Sequence, residues 1–266
     1  MNKHLLALAL LAGLSGTALA ERPWLLPSGT VFEGKEAWVT IDGAISENLF
    51  DYDHSALKLD TLVITGPDGL PVVPENRFQG RLRSSVDLKL DKPGTYRASI
   101  VNESAFASYK LGGESKRWRG AIDAVAKEIP ANAEELTLTR SHSRLETFVT
   151  LRKPGGVALK PVGVGIELEA LTHPNDLRAG EPARWRFLID GKPAPQLAFS
   201  LVPGAVRYRG VLNEIRMSTD AKGEFGFNLP EAGMYWLNAS FPARVEGAPP
   251  PARRLSYSAT IEVLPQ

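Results

Sequence analysis

Cysteine is absent from all 266 residues. Disulfide staples, thiolate metal sites and a lipid-bearing cysteine behind a leader are therefore excluded, and any metal must be held by His, Asp, Glu or backbone oxygen. Histidine is scarce at four and methionine at three. Neither sign of charge dominates: 31 basic residues face 30 acidic ones, and removing residues 1–20 takes away Lys3 alone, leaving 30 and 30. That balance lacks the basic excess with which nucleic-acid binders neutralise phosphate, so no nucleic-acid partner is expected. Beyond residue 20 no apolar run approaches the roughly 18 residues of a transmembrane helix. There is also no G-x-S-x-G elbow, no H-E-x-x-H helix and no phosphate-cradling glycine loop; the glycines of "GVGIELE" precede a strand pattern. The chain is expected not to be an enzyme.

What is present begins with an address. The basic start "MNKH", the apolar run "LLALALLAGL" and the small-residue ending "SGTALA" form a secretory signal peptide over 1–20, with Ala18 and Ala20 at the cleavage site. The expected product starts at Glu21 and is a soluble periplasmic protein rather than a lipoprotein.

Period-two alternation dominates the remainder. Val39 and Ile41, then Val86, Leu88 and Leu90, then Trp185, Phe187 and Ile189, then Tyr257, Ala259, Ile261 and Val263 each place one strand face in a core. Turn signals such as "GPDG" (66–69), "DKPG" (91–94) and "DAKG" (220–223) separate such sets. "LDKPGTYRAS" (90–99) and "LPEAGMYWLNAS" (229–240) share L-x-x-x-G-x-Y, the pattern of a tyrosine corner in immunoglobulin-like sandwiches. The expected fold is all-β: two immunoglobulin-like or transthyretin-like β-sandwich domains in tandem, over 21–155 and 160–266. A short helical insertion is expected at 120–136, where Ile122, Val125, Ala126 and Ile129 share a face. The Pro- and Gly-rich stretch 152–163 reads as the linker.

Two clusters carry chemistry. In "NLFDYDHSALKLD" (48–60), Asp51, Asp53 and His54 offer carboxylate and imidazole donors suited to nickel, cobalt, zinc or iron; the competing reading is a loop whose aspartates bond their own backbone. His173, in "LTHPNDLRAGE", is a candidate fourth ligand, while "PND" is equally a turn signal. His142 has the strand phase of Arg140 and Arg144 and is expected on a solvated face. The second cluster, "FASYKLGGESKRWRG" (106–120), reads as a hairpin about Gly112 and Gly113. There Lys116, Arg117 and Arg119 flank Trp118, a combination suited to an anionic ligand or a protein contact. Its competing reading is a core tryptophan with basic neighbours reaching water.

Several stretches together, "RPWLLPSGTVFEGKEAWVTID", "LDTLVITGPDG", "FASYKLGGESKRWRG", "SRLETFVTLRKP", "THPNDLRAGEP" and "AGMYWLNAS", resemble the bacterial periplasmic family called domain of unknown function 4198. Members are often labelled periplasmic components of cobalt or nickel uptake and lie beside TonB-dependent receptors and membrane reductases. The resemblance implies a binding or accessory protein for nickel, cobalt or iron-chelate uptake, with no fixed cofactor and a divalent transition metal as cargo. The alternative is an interaction module that bridges a TonB-dependent receptor and a membrane transport or reductase component without a small ligand. The Glu21, Arg22, Pro23, Trp24 start departs from the histidine-first starts of relatives, so a clamp built from an amine and a first-position imidazole is not expected.

Overall fold

Strands form where the apolar residues alternate. In chain order the longer ones are β1 (Arg22–Pro27), β2 (Ala37–Ser46), β3 (Leu62–Thr65), β4 (Glu75–Gln79), β5 (Ser84–Leu90), β6 (Gly94–Leu111), β7 (Glu114–Gly120) and β8 (Glu134–Leu151). Then follow β9 (Ile166–Ala170), β10 (Pro182–Ile189), β11 (Ala198–Pro203), β12 (Ile215–Ser218), β13 (Glu224–Asn228), β14 (Gly233–Phe241) and β15 (Arg253–Val263). The computed structural model describes residues 21–243, 245 and 247–266; the leader expected at 1–20 lies outside the described residues.

Among the described residues three sheets result. One runs β1-β2-β5-β4, another joins β9, β10 and β13, and the largest runs β12-β11-β14-β15-β8-β6-β3 with β7 added beside β6. The largest sheet belongs to both halves of the chain, because β15 lies parallel to β8 with Arg140–Thr147 opposite Arg253–Thr260. Residues opposite each other in register share a sheet face. Leu145 faces Ile100 and Val149 faces Tyr96, all in the N-terminal core with Leu25, Ile41 and Leu88. On the other face Arg144 lies opposite Tyr257 and Glu146 opposite Ala259, and Phe148 joins the C-terminal core of Trp185, Phe187, Phe199 and Phe225. The two sandwiches thus lie on opposite faces of one shared sheet, and the second half of β8, Arg144–Leu151, is covered on both sides.

A third core seals the halves together. Trp24 of β1 packs with Leu49, Val202, Val206 and Trp236, and the Trp236 indole N–H donates to the Pro23 carbonyl at 3.0 Å. Residues 152–163, expected as a linker, contain no strand but are not free of the N-terminal half: Val157 N–H donates to Pro67 O at 2.8 Å, and Thr95 N–H donates to Gly155 O at 2.8 Å. The helical insertion is shorter than its apolar pattern suggests, a single turn of 3-10 helix at Ile122–Ala124 followed by α1 (Val125–Glu128). Of its apolar set only Ile129 is buried, and Pro130 ends the segment before a costly helix nucleus can be extended.

Both tyrosine corners are present. The Tyr96 hydroxyl donates to Lys92 O at 3.0 Å and accepts from Lys92 N–H at 2.9 Å, while Tyr235 donates to Glu231 O at 2.9 Å. Both rings are buried, one in each core. Tyr96→Phe and Tyr235→Phe are each expected to lower unfolding free energy by about 1 kcal/mol, the usual net value of one such bond. Chemical denaturation checks this, and wild-type midpoints in both variants would contradict it.

Candidate functional site

The stretch 48–60 is organised by its aromatics. Leu49 is buried, and Phe50 and Tyr52 each place a ring 5.6 Å from that of Trp24, so the loop is an anchor of the third core. Phe50 also lies against Gly204, where an added Cβ would come within 2.9 Å of its ring. Asp53 is spent on local structure: its carboxylate accepts the backbone N–H groups of Glu47 and Asn48, each at 3.0 Å, and the Asn48 amide at 2.9 Å. These bonds hold its pKa below the ordinary carboxylate value against a desolvation effect that opposes them. Asp51 directs one buried oxygen, Oδ2, to no hydrogen-bond partner among the described residues. His54 turns away to the N-terminal end of the described chain, with Nε2 3.1 Å from Glu21 Oε1.

His173 is elsewhere, in a closed polar network between the halves. Its Nδ1 accepts the Asn175 backbone N–H at 3.1 Å, which leaves Nε2 to donate to Thr95 Oγ1 at 2.9 Å. Thr95 continues to Thr150 at 3.0 Å, Thr150 donates to Asn175 Oδ1 at 2.9 Å, and Asn175 Nδ2 donates to Phe148 O at 2.9 Å. With both ring nitrogens engaged, His173 is a structural imidazole. The four side chains expected to share a metal, Asp51, Asp53, His54 and His173, therefore do not form one site. Among the described residues no three His, Asp or Glu side chains come together in a metal-holding group.

His142 is corrected too. Rather than facing solvent it is buried, its Nε2 4.0 Å from Glu103, with Gly165 against the ring so closely that a Cβ there would meet Nδ1 at 2.3 Å. Only glycine fits, and its φ of +72° asks for glycine as well. Beside it is an ionic cluster that sequence reading missed. Glu146 accepts from Tyr257 at 2.9 Å, Ser99 at 3.2 Å and Arg144 at 3.3 Å; Glu167 accepts the N–H groups of Val162, Gly163 and Val164 at 2.7, 2.6 and 3.2 Å. Arg144 links the two, 3.7 Å from Glu167 and donating to Val164 O at 3.3 Å. Burial, reinforced by the Glu146 charge, raises the Tyr257 pKa well above its ordinary value, so its hydroxyl stays protonated and donates. The only signal in sequence was charge on β8 in the phase of Phe148, and that phase equally fits a wet face.

The hairpin at 106–120 is as expected. Gly112 and Gly113 have φ of +58° and +81°, the two positive values of a type I′ turn, and β7 returns antiparallel to β6 with Trp118 opposite Ala107. The distal parts of β6 and β8 continue with β7 as a three-stranded arm. On it Lys116, Arg117 and Arg119 are exposed, and Trp118 is half-buried and donates its indole N–H to Glu128 at 2.8 Å. Arg119 stacks 4.8 Å from the centre of the Phe106 ring, and Lys116 pairs with Glu114 at 2.5 Å. A surface hollow of about 320 Å³ is lined by Phe106, Ser108, Arg117, Trp118, Thr139 and Pro250. Trp118 is therefore neither a core residue nor a free one.

Burial lowers the pKa of His142 and His173, with the Arg144 charge adding to the effect at His142. In the unfolded chain each would take up a proton near pH 6.5 that the fold resists, so stability is lost as pH falls below about 6.5. Melting temperature is expected to drop between pH 7 and pH 5, and less steeply in His173→Gln; equal slopes would contradict this. Asp190, held at a pKa of about 2 chiefly by Arg253, acts in a separate window, its contribution lost as pH falls from about 3.8 toward 2.

Three solved structures illustrate what the chain is similar to. The D0-D1 domain of intimin matches at 13% identity over 90% of this chain and 97% of its own, with a TM-score of 0.23. The D1-D4 ectodomain fragment of ICAM-5 matches at 11% over 92% and 51%, also with a TM-score of 0.23. Trypsin-activated alpha-2-macroglobulin from Escherichia coli matches at 12% over 91% and 16%, with a TM-score of 0.22. Scores this low carry no argument, and the sandwich assignment rests on the strand pairing itself. No curated protein matches the chain. A family profile does, over residues 18–243, and the chain belongs to the family described as domain of unknown function DUF4198.

Proposed function

We propose that this is a non-enzymatic accessory protein of the bacterial periplasm that works by protein contact, its arm serving as the recognition element for a TonB-dependent receptor or a membrane transport or reductase component. The observation that carries this reading is the arm itself. It holds a half-buried tryptophan on one face and, on the other, a cation-covered phenylalanine and exposed arginines beside an apolar hollow, the residue types that concentrate binding energy at interfaces. The shared sheet and the three cores give that arm a rigid base, which lowers the ordering cost of a contact.

A second reading, capture of nickel, cobalt or an iron chelate, is favoured by one contact. His54 and Glu21 are 40% and 56% exposed at the side chain and stand 3.1 Å apart, and a leader removed after Ala20 would add the Glu21 amine to this imidazole and carboxylate. Two nitrogens and one oxygen suit nickel or cobalt better than magnesium or calcium. Nickel is expected to raise the melting temperature of a chain whose intact mass shows it to begin at Glu21, and His54→Ala to remove the shift. A shift that survives in His54→Ala sinks this reading.

For the contact reading, a photoreactive residue placed at Arg117 is expected to give a defined adduct in cells, while one at the exposed Tyr208 of the other half is not. Trp118→Ala should weaken binding of the adducted protein by about 2 kcal/mol or more. Its own unfolding should change by about 1 kcal/mol, reflecting the lost bond to Glu128. Adducts of equal yield from both positions, or a variant that fails only in folding, overturn the assignment.

A further inference from the structure

The outer edge of the arm is an open strand. β7 pairs with β6 along Glu114–Gly120, and among the described residues its other edge pairs with nothing. At seven residues it is longer than the outer strands β1 with six, β4, β9 and β13 with five each, or β12 with four. Sheet edges are usually kept short, interrupted by proline or covered, since each presents a row of free N–H and C=O groups. β7 has no proline, and its residues from Glu114 to Arg117 are all exposed.

Its charge decides what can pair there. Glu114, Lys116, Arg117 and Arg119 sum to a net +2 over the strand. Arg117 makes no ion pair among the described residues, and Arg119 is engaged only with the Phe106 ring. Two copies joined edge to edge would bring these positive charges together, which is the usual device against self-association. An extended segment carrying carboxylates meets the opposite case: the backbone continues the ladder, alternate side chains reach Arg117 and Arg119 on one face, and the apolar side chains between them lie on the other face beside Trp118. We infer that β7 is a docking edge that takes an acidic, extended segment of a partner protein as an added strand of the arm. This rests on the contact reading above and specifies its mode, main-chain pairing rather than side-chain contact alone.

The probe is a short soluble peptide alternating glutamate and valine, with its lysine-valine counterpart as control, titrated into the protein beginning at Glu21. The acidic peptide is expected to bind, to weaken as salt rises, and to slow hydrogen exchange at backbone amides of 114–120; the basic peptide is expected not to bind. Adjacent residues of an edge strand alternate their N–H groups between the neighbour and the outside. Of Lys116→Pro and Arg117→Pro, one therefore removes an outward N–H and leaves the pairing with β6 intact. That variant should melt as wild type does and lose at least about tenfold in affinity, a change of about 1.4 kcal/mol. If Trp118→Ala and Arg117→Glu weaken binding but neither proline does, strand addition is overturned while the arm stands as a contact surface. No binding of the acidic peptide, equal binding of both peptides, or a dimer of the protein in sedimentation also overturns it.

Discussion

The structure depends on the second half of β8, Arg144–Leu151, being buried on both faces. Leu145, Val149 and Leu151 fill the N-terminal core, while Phe148 enters the C-terminal one from the same strand. Such a strand cannot leave a charge without a partner, since an unpaired buried ion costs several kcal/mol. Arg144 and Glu146 meet this condition by satisfying one another together with Tyr257, Ser99 and the loop carbonyl of Val164. Their bonds reach across three strands and into the connection between the sandwiches. The cluster therefore fixes register as well as charge, because a slip of one residue would send Arg144 and Glu146 into the hydrocarbon of the N-terminal core.

Rigidity at the junction follows from the same arrangement. Parallel pairing of β15 with β8 makes the last strand of the chain a neighbour of the first half, and Trp24 and Trp236 close the interface, the Trp236 indole donating to the Pro23 carbonyl. The Thr95–Thr150–Asn175–His173 network adds a second buried polar tie, satisfied by side chains from both halves. Tandem sandwiches on a loose linker would swing. These share a sheet, so the arm formed by the ends of β6 and β8 projects from a fixed body.

The arm carries the functional argument because much of the polar chemistry elsewhere is internally spent. Asp53 caps its own loop, His173 bonds a threonine and a backbone amide, and Glu167 collects three N–H groups of one turn. Arg117 and the β7 edge differ in having their bonding capacity turned outward. A side chain already saturated inside the fold has little to offer a ligand, whereas an unpaired strand edge offers several bonds at once.

Local rules were enough for much of this protein. Alternation gave the strands, the L-x-x-x-G-x-Y repeat located both tyrosine corners, and Gly112-Gly113 located the hairpin, because period, turn chemistry and positive φ are properties of short segments. The metal set was legible only as residue types. Whether Asp51, Asp53, His54 and His173 converge depends on contacts between positions more than a hundred residues apart, and the tertiary structure instead sends His54 to Glu21 and His173 to Thr95. His142 and Arg144 show the same limit, since a polar residue in strand phase looks alike whether water or a second sandwich covers that face. Pairing of β8 with a strand more than a hundred residues later decided it, and no local pattern encodes which strand arrives last.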